Sequence, residues 1–252
     1  MEMMAEPTST TALRTPFICQ MGEKYVVRQA HKAAGAKTRL ESIGKSIQVQ
    51  GKTIDGKTFD LEQHRGKTVL IQGPGQQGLG CLMAAKYAGA DCIIVSGLGR
   101  DKRRLEVAKA MGADYTIDVE AEDLRTRVRE ITGQGVDVAM DLAVAGAPTI
   151  IPALESLAPR GVFVGVGAEQ GSLPNFPMGL IARKGISLRG ANGHKLLSVD
   201  MALQVMASGR FPIQEVTSHD FPLDQVDQAI RSTAGEGVPG AVHVAVDPWA
   251  PM

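Results

Sequence analysis

The sequence predicts an α/β protein: a doubly wound parallel sheet with a small N-terminal appendage that contains a β-hairpin. Three observations predict it. The apolar run at residues 68–72 leads straight into Gly73-Pro74-Gly75-Gln76-Gln77-Gly78-Leu79-Gly80, β-rich runs alternate with helical patterns from there onward, and Asp55-Gly56 separates two strand-like runs near the start. The expected division is an irregular segment over residues 1–66 and a dinucleotide-binding domain over 67–252.

Each element has its own signal. Residues 79–88 are amphipathic and Ala-rich, so a helix follows the glycine turn. A second strand at 92–95, Cys-Ile-Ile-Val, leads to a helix over 105–111 that stops at Gly112. A short third strand at 115–117 precedes a charged helix over 122–132. A fourth strand spans 136–141, a helix with proline in its first turn spans 148–157, and fifth and sixth strands are expected at 161–166 and 186–189. Helices at 198–207 and 223–231, a turn at 209–212 and a last strand at 241–246 complete the pattern. Right-handed crossovers then impose a doubly wound order, with any ligand across the carboxyl ends of the strands.

The first residues follow another grammar. Residues 1–21 show no period and are expected to be disordered, while 25–40 form a weak basic helix candidate. Runs at 47–54 and 57–61 flank Asp55-Gly56, the strongest short hairpin signal in the chain.

Composition bounds the function classes. The chain has 252 residues with 27 Lys and Arg against 27 Asp and Glu, so no electrostatic footprint marks nucleic acid or an anionic membrane as a partner. Cys19, Cys81 and Cys92 form no Cys-x-x-Cys pair and cannot make a disulfide framework, which implies a reduced, cytoplasmic setting. The N-terminus has no basic start followed by an apolar run, and no apolar stretch reaches bilayer length.

The glycine turn carries the chemistry. In a G-x-G-x-x-G turn between strand and helix, the first glycine (Gly73) permits the turn, the second (Gly75) clears space for a pyrophosphate, and the third (Gly78) lets helix and strand pack closely. Amides at Gln76, Gln77 and Gly78 then point from a helix N-terminus toward an anion.

Residues 67–248 resemble the cofactor-binding half of the medium-chain, zinc-type alcohol dehydrogenases. The matching stretches, in order, are GKTVLIQGPGQQGLGCLMAAKYAGA, RRLEVAKAMGADYTIDVEAED, GVDVAMDLAVAG, LAPRGVFVGVGAEQ and ALQVMASGRFPIQEVTSHDFPLDQVDQAI. The resemblance implies a Rossmann domain that binds NAD or NADP and serves hydride transfer between the nicotinamide and a small alcohol or carbonyl. It implies that Gly73, Gly75, Gln76, Gln77 and Gly78 hold the pyrophosphate, and that Ser96, Gly97 and Arg100 lie at the adenosine ribose. Gly165, Val166 and Gly167 would position the nicotinamide amide, with Leu142 and Ala143 lining the same cleft. A homodimer through the sixth strand is implied as well.

Two departures qualify it. An NAD-specific domain places Asp or Glu at the end of the second strand; Ser96 and Gly97 stand there instead, and Arg100 and Lys102 could meet a 2′-phosphate, which tilts the choice slightly to NADP. The N-terminal domain that supplies a catalytic zinc in that family is not visible in the sequence: Cys19 and His31 are isolated, Cys81 and Cys92 read as core cysteines, and no zinc site is expected. The alternatives to a dehydrogenase are a catalytically silent dinucleotide-binding module and a zinc-independent, quinone-type reductase.

Residues 47–71 also resemble the opening of a thioredoxin-like thiol-disulfide exchange domain. The dinucleotide loop occupies the place of its redox cysteines, so thiol catalysis is not expected. His194 reads as a surface loop residue or a proton shuttle, His219 as part of a polar turn and His243 as a half-buried strand residue. Asp141 is expected to bond backbone rather than abstract a proton.

Overall fold

The computed structural model describes residues 25–26, 50–53, 58–60, 66–143, 145–166, 173, 175–191 and 196–249. Six of its strands form one parallel sheet: β1 (Thr68–Gln72), β2 (Cys92–Gly97), β3 (Tyr115–Asp118), β4 (Val136–Asp141), β5 (Leu157–Gly165) and β6 (Ser187–Gly190). Their order across the sheet is β3-β2-β1-β4-β5-β6. The helices between them are α1 (Gln76–Tyr87), α2 (Lys102–Ala110), α3 (Leu124–Thr132), α4 (Ala147–Ser156) and α5 (Met178–Lys184). This is the expected doubly wound α/β fold, and the order reverses between β1 and β4, where such sheets open a crevice.

The strands are nearly continuous apolar runs because both faces of the sheet are covered. Alternate residues divide between two cores. Val69 and Ile71 of β1, Ile93 and Val95 of β2, and Val138 and Met140 of β4 pack with Leu79, Leu82 and Ala85 of α1 and Leu105, Val107 and Ala108 of α2. Leu70, Ile94 and Ala139, pointing the other way, pack with Leu124 and Val128 of α3, Ala153 and Leu154 of α4 and Ile181 of α5. Each large aliphatic side chain buried this way contributes roughly 1.5–3 kcal/mol.

Element boundaries differ from the sequence expectation where local bonding overrides periodicity. Helix α1 starts at Gln76, three residues before the apolar segment, because exposed Gln76 and Gln77 form its first turn. Strand β5 starts at Leu157 rather than at 161. Leu157 pairs with Val136, and the register then shifts before Val162 pairs with Val138, with Arg160 at φ 64 in the irregular step.

After β6 come α6 (Leu196–Ala207), β7 (Thr217–Pro222), α7 (Val226–Ala234) and β8 (His243–Asp247). Strands β7 and β8 pair in parallel as a separate two-stranded sheet. Sequence reasoning missed α5 and β7. Thr217-Ser218-His219-Asp220 has no apolar alternation, and His219, expected in a turn, lies in this strand. Helix α5 is a seven-residue element with one buried residue, Ile181, too short to show a helical period.

Near the N-terminus, Gln50–Thr53 pairs antiparallel with Thr58–Asp60, as a hairpin around Asp55 and Gly56 requires, but Lys52 stands opposite Thr58, one residue out of the register that a two-residue turn at 55–56 would give. Tyr25–Val26, assigned from sequence to the start of a helix, instead pairs as a strand with residues 52–53. The rest of that helix candidate and residues 1–21 lie outside the described residues.

Candidate functional site

The sheet's register brings the sequence-predicted residues to one edge. Gln72 stands opposite Ser96 on β2 and Asp141 on β4, Asp141 opposite Gly165 on β5, and Gly97 opposite Asp118 on β3. The turns leaving these positions therefore emerge side by side at the carboxyl ends: Gly73 to Gly78 from β1, Leu98 to Arg100 from β2, Leu142 and Ala143 from β4, and Val166 from β5. Gly167 and His194 lie outside the described residues.

The three glycines of the β1 turn have three distinct environments. Gly73, at φ 94, donates its amide to the Ser96 carbonyl at 2.9 Å, and a Cβ there would lie 3.0 Å from the Ala143 nitrogen. Positive φ and close approach both call for glycine. A Cβ on Gly78 would lie 1.9 Å from the Gly73 carbonyl oxygen, so this residue is the contact between helix and turn. Gly75 is the opposite case: φ −72 and ψ 179 suit any residue, and a Cβ would meet nothing within 4 Å.

That open space faces the start of α1. The first bond the helix makes with the turn runs from the Leu79 amide to the Gly75 carbonyl, at 2.9 Å. The amides of Gln76, Gln77 and Gly78 have no acceptor among the described residues, no side chain caps the helix, and its first turn carries no acid. Unsatisfied N–H groups at a helix N-terminus carry partial positive charge and suit an anion.

One neighbour was not legible from sequence. The imidazole Nδ1 of His243 on β8 meets the side-chain oxygen of Gln76, which places a histidine of the C-terminal strand beside the first turn of α1. The strand, His-Val-Ala-Val-Asp, becomes exposed toward its end, and no local motif marks the position.

On the β4 side a buried polar network fixes the neighbouring turn. Asp141 accepts hydrogen bonds from the Ala143 amide at 3.1 Å and the Thr149 hydroxyl at 3.0 Å. Gln72 donates its side-chain amide to the Thr149 carbonyl at 2.9 Å and accepts the Leu142 amide on its own carbonyl at 2.9 Å. Asp141 and Gln72 are 5% and 4% exposed, so this network holds the exits of β1 and β4 together with its polar groups paired. Asp141 thus bonds backbone, as the sequence implied, and its carbonyl also accepts the Val166 amide at 3.1 Å.

On the β2 side, Ser96 is buried and Gly97 half-buried. A Cβ on Gly97 would lie 2.8 Å from Cγ of Pro74, the buried proline of the glycine turn. The Gly99 amide donates to Oε2 of Glu120 at 2.7 Å. Asp101 accepts the Leu98 amide at 3.1 Å and pairs with Arg104 at 3.1 Å, while Arg100 is exposed.

The described thiols are Cys81 and Cys92. Burial pushes Cys81 up to about 12, and burial followed by the nearby Asp114 carboxylate raises Cys92. Both are protonated at neutral pH, which makes them poor nucleophiles. Among the described residues no three His, Cys, Asp or Glu side chains converge as ligands for an ion, so no zinc site is assigned to them. No helix among these residues is long and apolar enough to cross a membrane.

Comparison with known proteins follows the same outline. The family model described as zinc-binding dehydrogenase matches residues 78–208. A probable alcohol dehydrogenase from Mycobacterium tuberculosis is 32% identical over 192 residues, 74% of this chain and 52% of that protein. A sorbitol dehydrogenase from Halalkalibacterium halodurans is 29% identical over 221 residues, 85% of this chain and 63% of that protein. The crystal structure of L-idonate 5-dehydrogenase from Escherichia coli superposes with a TM-score of 0.63 at 28% identity, covering 73% of this chain and 51% of that one. The chain spans about half to two thirds of the length of these relatives.

Proposed function

The chain belongs to the zinc-binding dehydrogenase family, and from that premise we propose that its carboxyl-edge crevice binds a nicotinamide dinucleotide for hydride exchange with a small alcohol or carbonyl compound. The observation that carries the proposal is the open space at Gly75 beside three amides without an acceptor among the described residues. A pyrophosphate placed there takes hydrogen bonds from Gln76, Gln77 and Gly78 and sits at the positive end of α1. His243 contacts the side chain of Gln76, whose amide is one of the three.

When bound, the cofactor supplies the hydride chemistry. The residues of this chain bind and orient it. The Asp141 network holds Leu142 and Ala143 against the glycine turn, and Gly165 and Val166 form the adjacent rim of the cleft. No described side chain is assigned the task of polarising a substrate oxygen. A second reading is a dinucleotide-binding module without turnover of its own. A quinone-type reductase shares the fold and the binding step.

Titration of the purified protein with NADH and NADPH, followed by their fluorescence, tests binding. Absorbance of the reduced cofactor with a panel of alcohols, aldehydes and quinones then tests turnover. Binding with turnover of alcohols supports the dehydrogenase, binding without turnover supports the module, and quinone turnover alone supports the reductase. Absence of binding to either cofactor refutes the site.

A further inference from the structure

We propose that Glu120, with Asp118 beside it, sets the cofactor choice of this crevice toward NAD(H) and against NADP(H); the inference rests on the dinucleotide reading above. It starts from Gly97. The end of β2 cannot carry the usual ribose-binding acid, because a Cβ at Gly97 would already lie 2.8 and 3.0 Å from the Pro74 ring and 3.2 Å from Cβ of Asp101. The position is closed by the glycine turn's own proline.

Carboxylates reach the same corner from the next strand. Oε2 of Glu120 accepts the Gly99 amide at 2.7 Å, and a Cβ at Gly99 would lie 3.1 Å from that oxygen and 3.2 Å from Oδ2 of Asp118. Asp118 in turn accepts the Glu120 amide at 3.0 Å, which ties the two residues together at the end of β3. The Gly99 amide opens the helical turn that follows β2, the kind of backbone donor a 2′-phosphate would use. Here a carboxylate of the chain holds that donor, in the place of a phosphate oxygen.

The opposing charges do not cancel this arrangement. Arg104 is committed to Asp101 at 3.1 Å and to the Ala241 carbonyl at 2.8 Å. Arg100 and Lys102 are exposed and form no ion pair among the described residues, so placing them on a phosphate requires ordering two long side chains. Glu120 is already anchored to the backbone. A dianionic 2′-phosphate entering the corner must displace that carboxylate and lie beside Asp118, whereas a ribose hydroxyl can donate to either acid.

The test uses the full chain and four probes: NADH, NADPH, ADP-ribose and its 2′-phosphate, titrated by fluorescence or calorimetry. NADH should bind at least about tenfold more tightly than NADPH at low ionic strength, a difference of about 1.4 kcal/mol. The same ratio should separate ADP-ribose from its 2′-phosphate and should narrow as salt rises toward about 0.5 M, because exposed charges are screened. Glu120→Gln keeps an acceptor for the Gly99 amide but removes the charge. It should lower the ratio of NADPH to NADH dissociation constants severalfold and keep the melting temperature; Asp118→Asn should act in the same direction.

NADPH binding as tightly as NADH to the wild type, or an unchanged ratio in Glu120→Gln, overturns the proposal while leaving the crevice as a dinucleotide site. Failure of all four probes to bind overturns the dinucleotide reading, and this inference with it.

Discussion

Two glycines three residues apart should fail in opposite ways when replaced. At Gly75 a side chain meets no protein atom within 4 Å, and φ −72 with ψ 179 is ordinary extended backbone. Valine fits there, at a cost of less than about 1 kcal/mol for the poorer helix cap. For a protein of this size that is a melting-temperature change of under about 4 °C. Its branches occupy the space beside the amides of Gln76 and Gln77. Losing two amide-to-phosphate bonds at about 1.5 kcal/mol each removes about 3 kcal/mol of binding, roughly a hundredfold in the NADH dissociation constant. At Gly78 even alanine fails, because its Cβ would start 1.9 Å from the Gly73 oxygen where contacts below 3.0 Å essentially never occur. Opening that contact forces backbone apart, about 3 kcal/mol or more, and lowers the melting temperature by about 6–12 °C. Thermal melts and NADH fluorescence titration of Gly75→Val and Gly78→Ala measure both quantities. Wild-type NADH affinity in Gly75→Val would refute the assignment of that space to the pyrophosphate.

Three further outcomes follow from other contacts. Burial raises the Asp137 carboxyl, but hydrogen bonds from the Thr68 amide at 2.9 Å and hydroxyl at 3.0 Å and the Lys67 ammonium at 3.3 Å outweigh it, so its net shift is downward. A depressed carboxyl contributes stability that is present above its unfolded value and lost as pH falls through the folded one. The melting-temperature gap between wild type and Asp137→Asn should therefore be full at pH 7 and close below about pH 4. Asp123, held at about 2 by Arg125 and Thr126, adds a loss of the same sign between its ordinary 3.8 and that value. Cys81, with its thiol near 12, should resist iodoacetamide in the native protein at pH 8 and label fully after denaturation, read by mass spectrometry of its peptide. Lastly, β6 is one of the two outer strands of the sheet and exposes Leu188 at 45%, an edge suited to pairing with a second copy. If the protein is a homodimer through this edge, light scattering should show Leu188→Lys as a monomer with unchanged NADH binding.

The central sheet was legible because its information is local and redundant. Strands such as Val69-Leu70-Ile71 and Ile93-Ile94-Val95 are apolar at every position, so no phase error could misplace them, and a turn with special backbone needs stands between β1 and α1. The elements that escaped lack that redundancy. Strand β7 buries Phe221 but carries polar residues at 217–220, and its identity as a strand comes from pairing with β8, about 25 residues later in the chain. Tyr25–Val26 likewise becomes a strand only through Lys52 and Thr53. Long-range pairing decides both, and no local window contains it.

The same division runs through the site. The tasks of Gly73 and Gly78 could be read from spacing alone, because each is a demand on the backbone of one turn, whereas Gly75 meets no such demand and faces only open space. The absence of an acid after β2 was equally visible in Ser96-Gly97, but its cause was not. Pro74, two residues before the helix, fills the room that an acid at position 97 would need, and carboxylates from β3 stand at the neighbouring amide instead. A sequence comparison of the β2 end alone sees a missing charge and two cations nearby. The folded corner has its negative charge supplied by Asp118 and Glu120, about 20 residues downstream and one strand across, so the local charge count and the three-dimensional one point toward different cofactors.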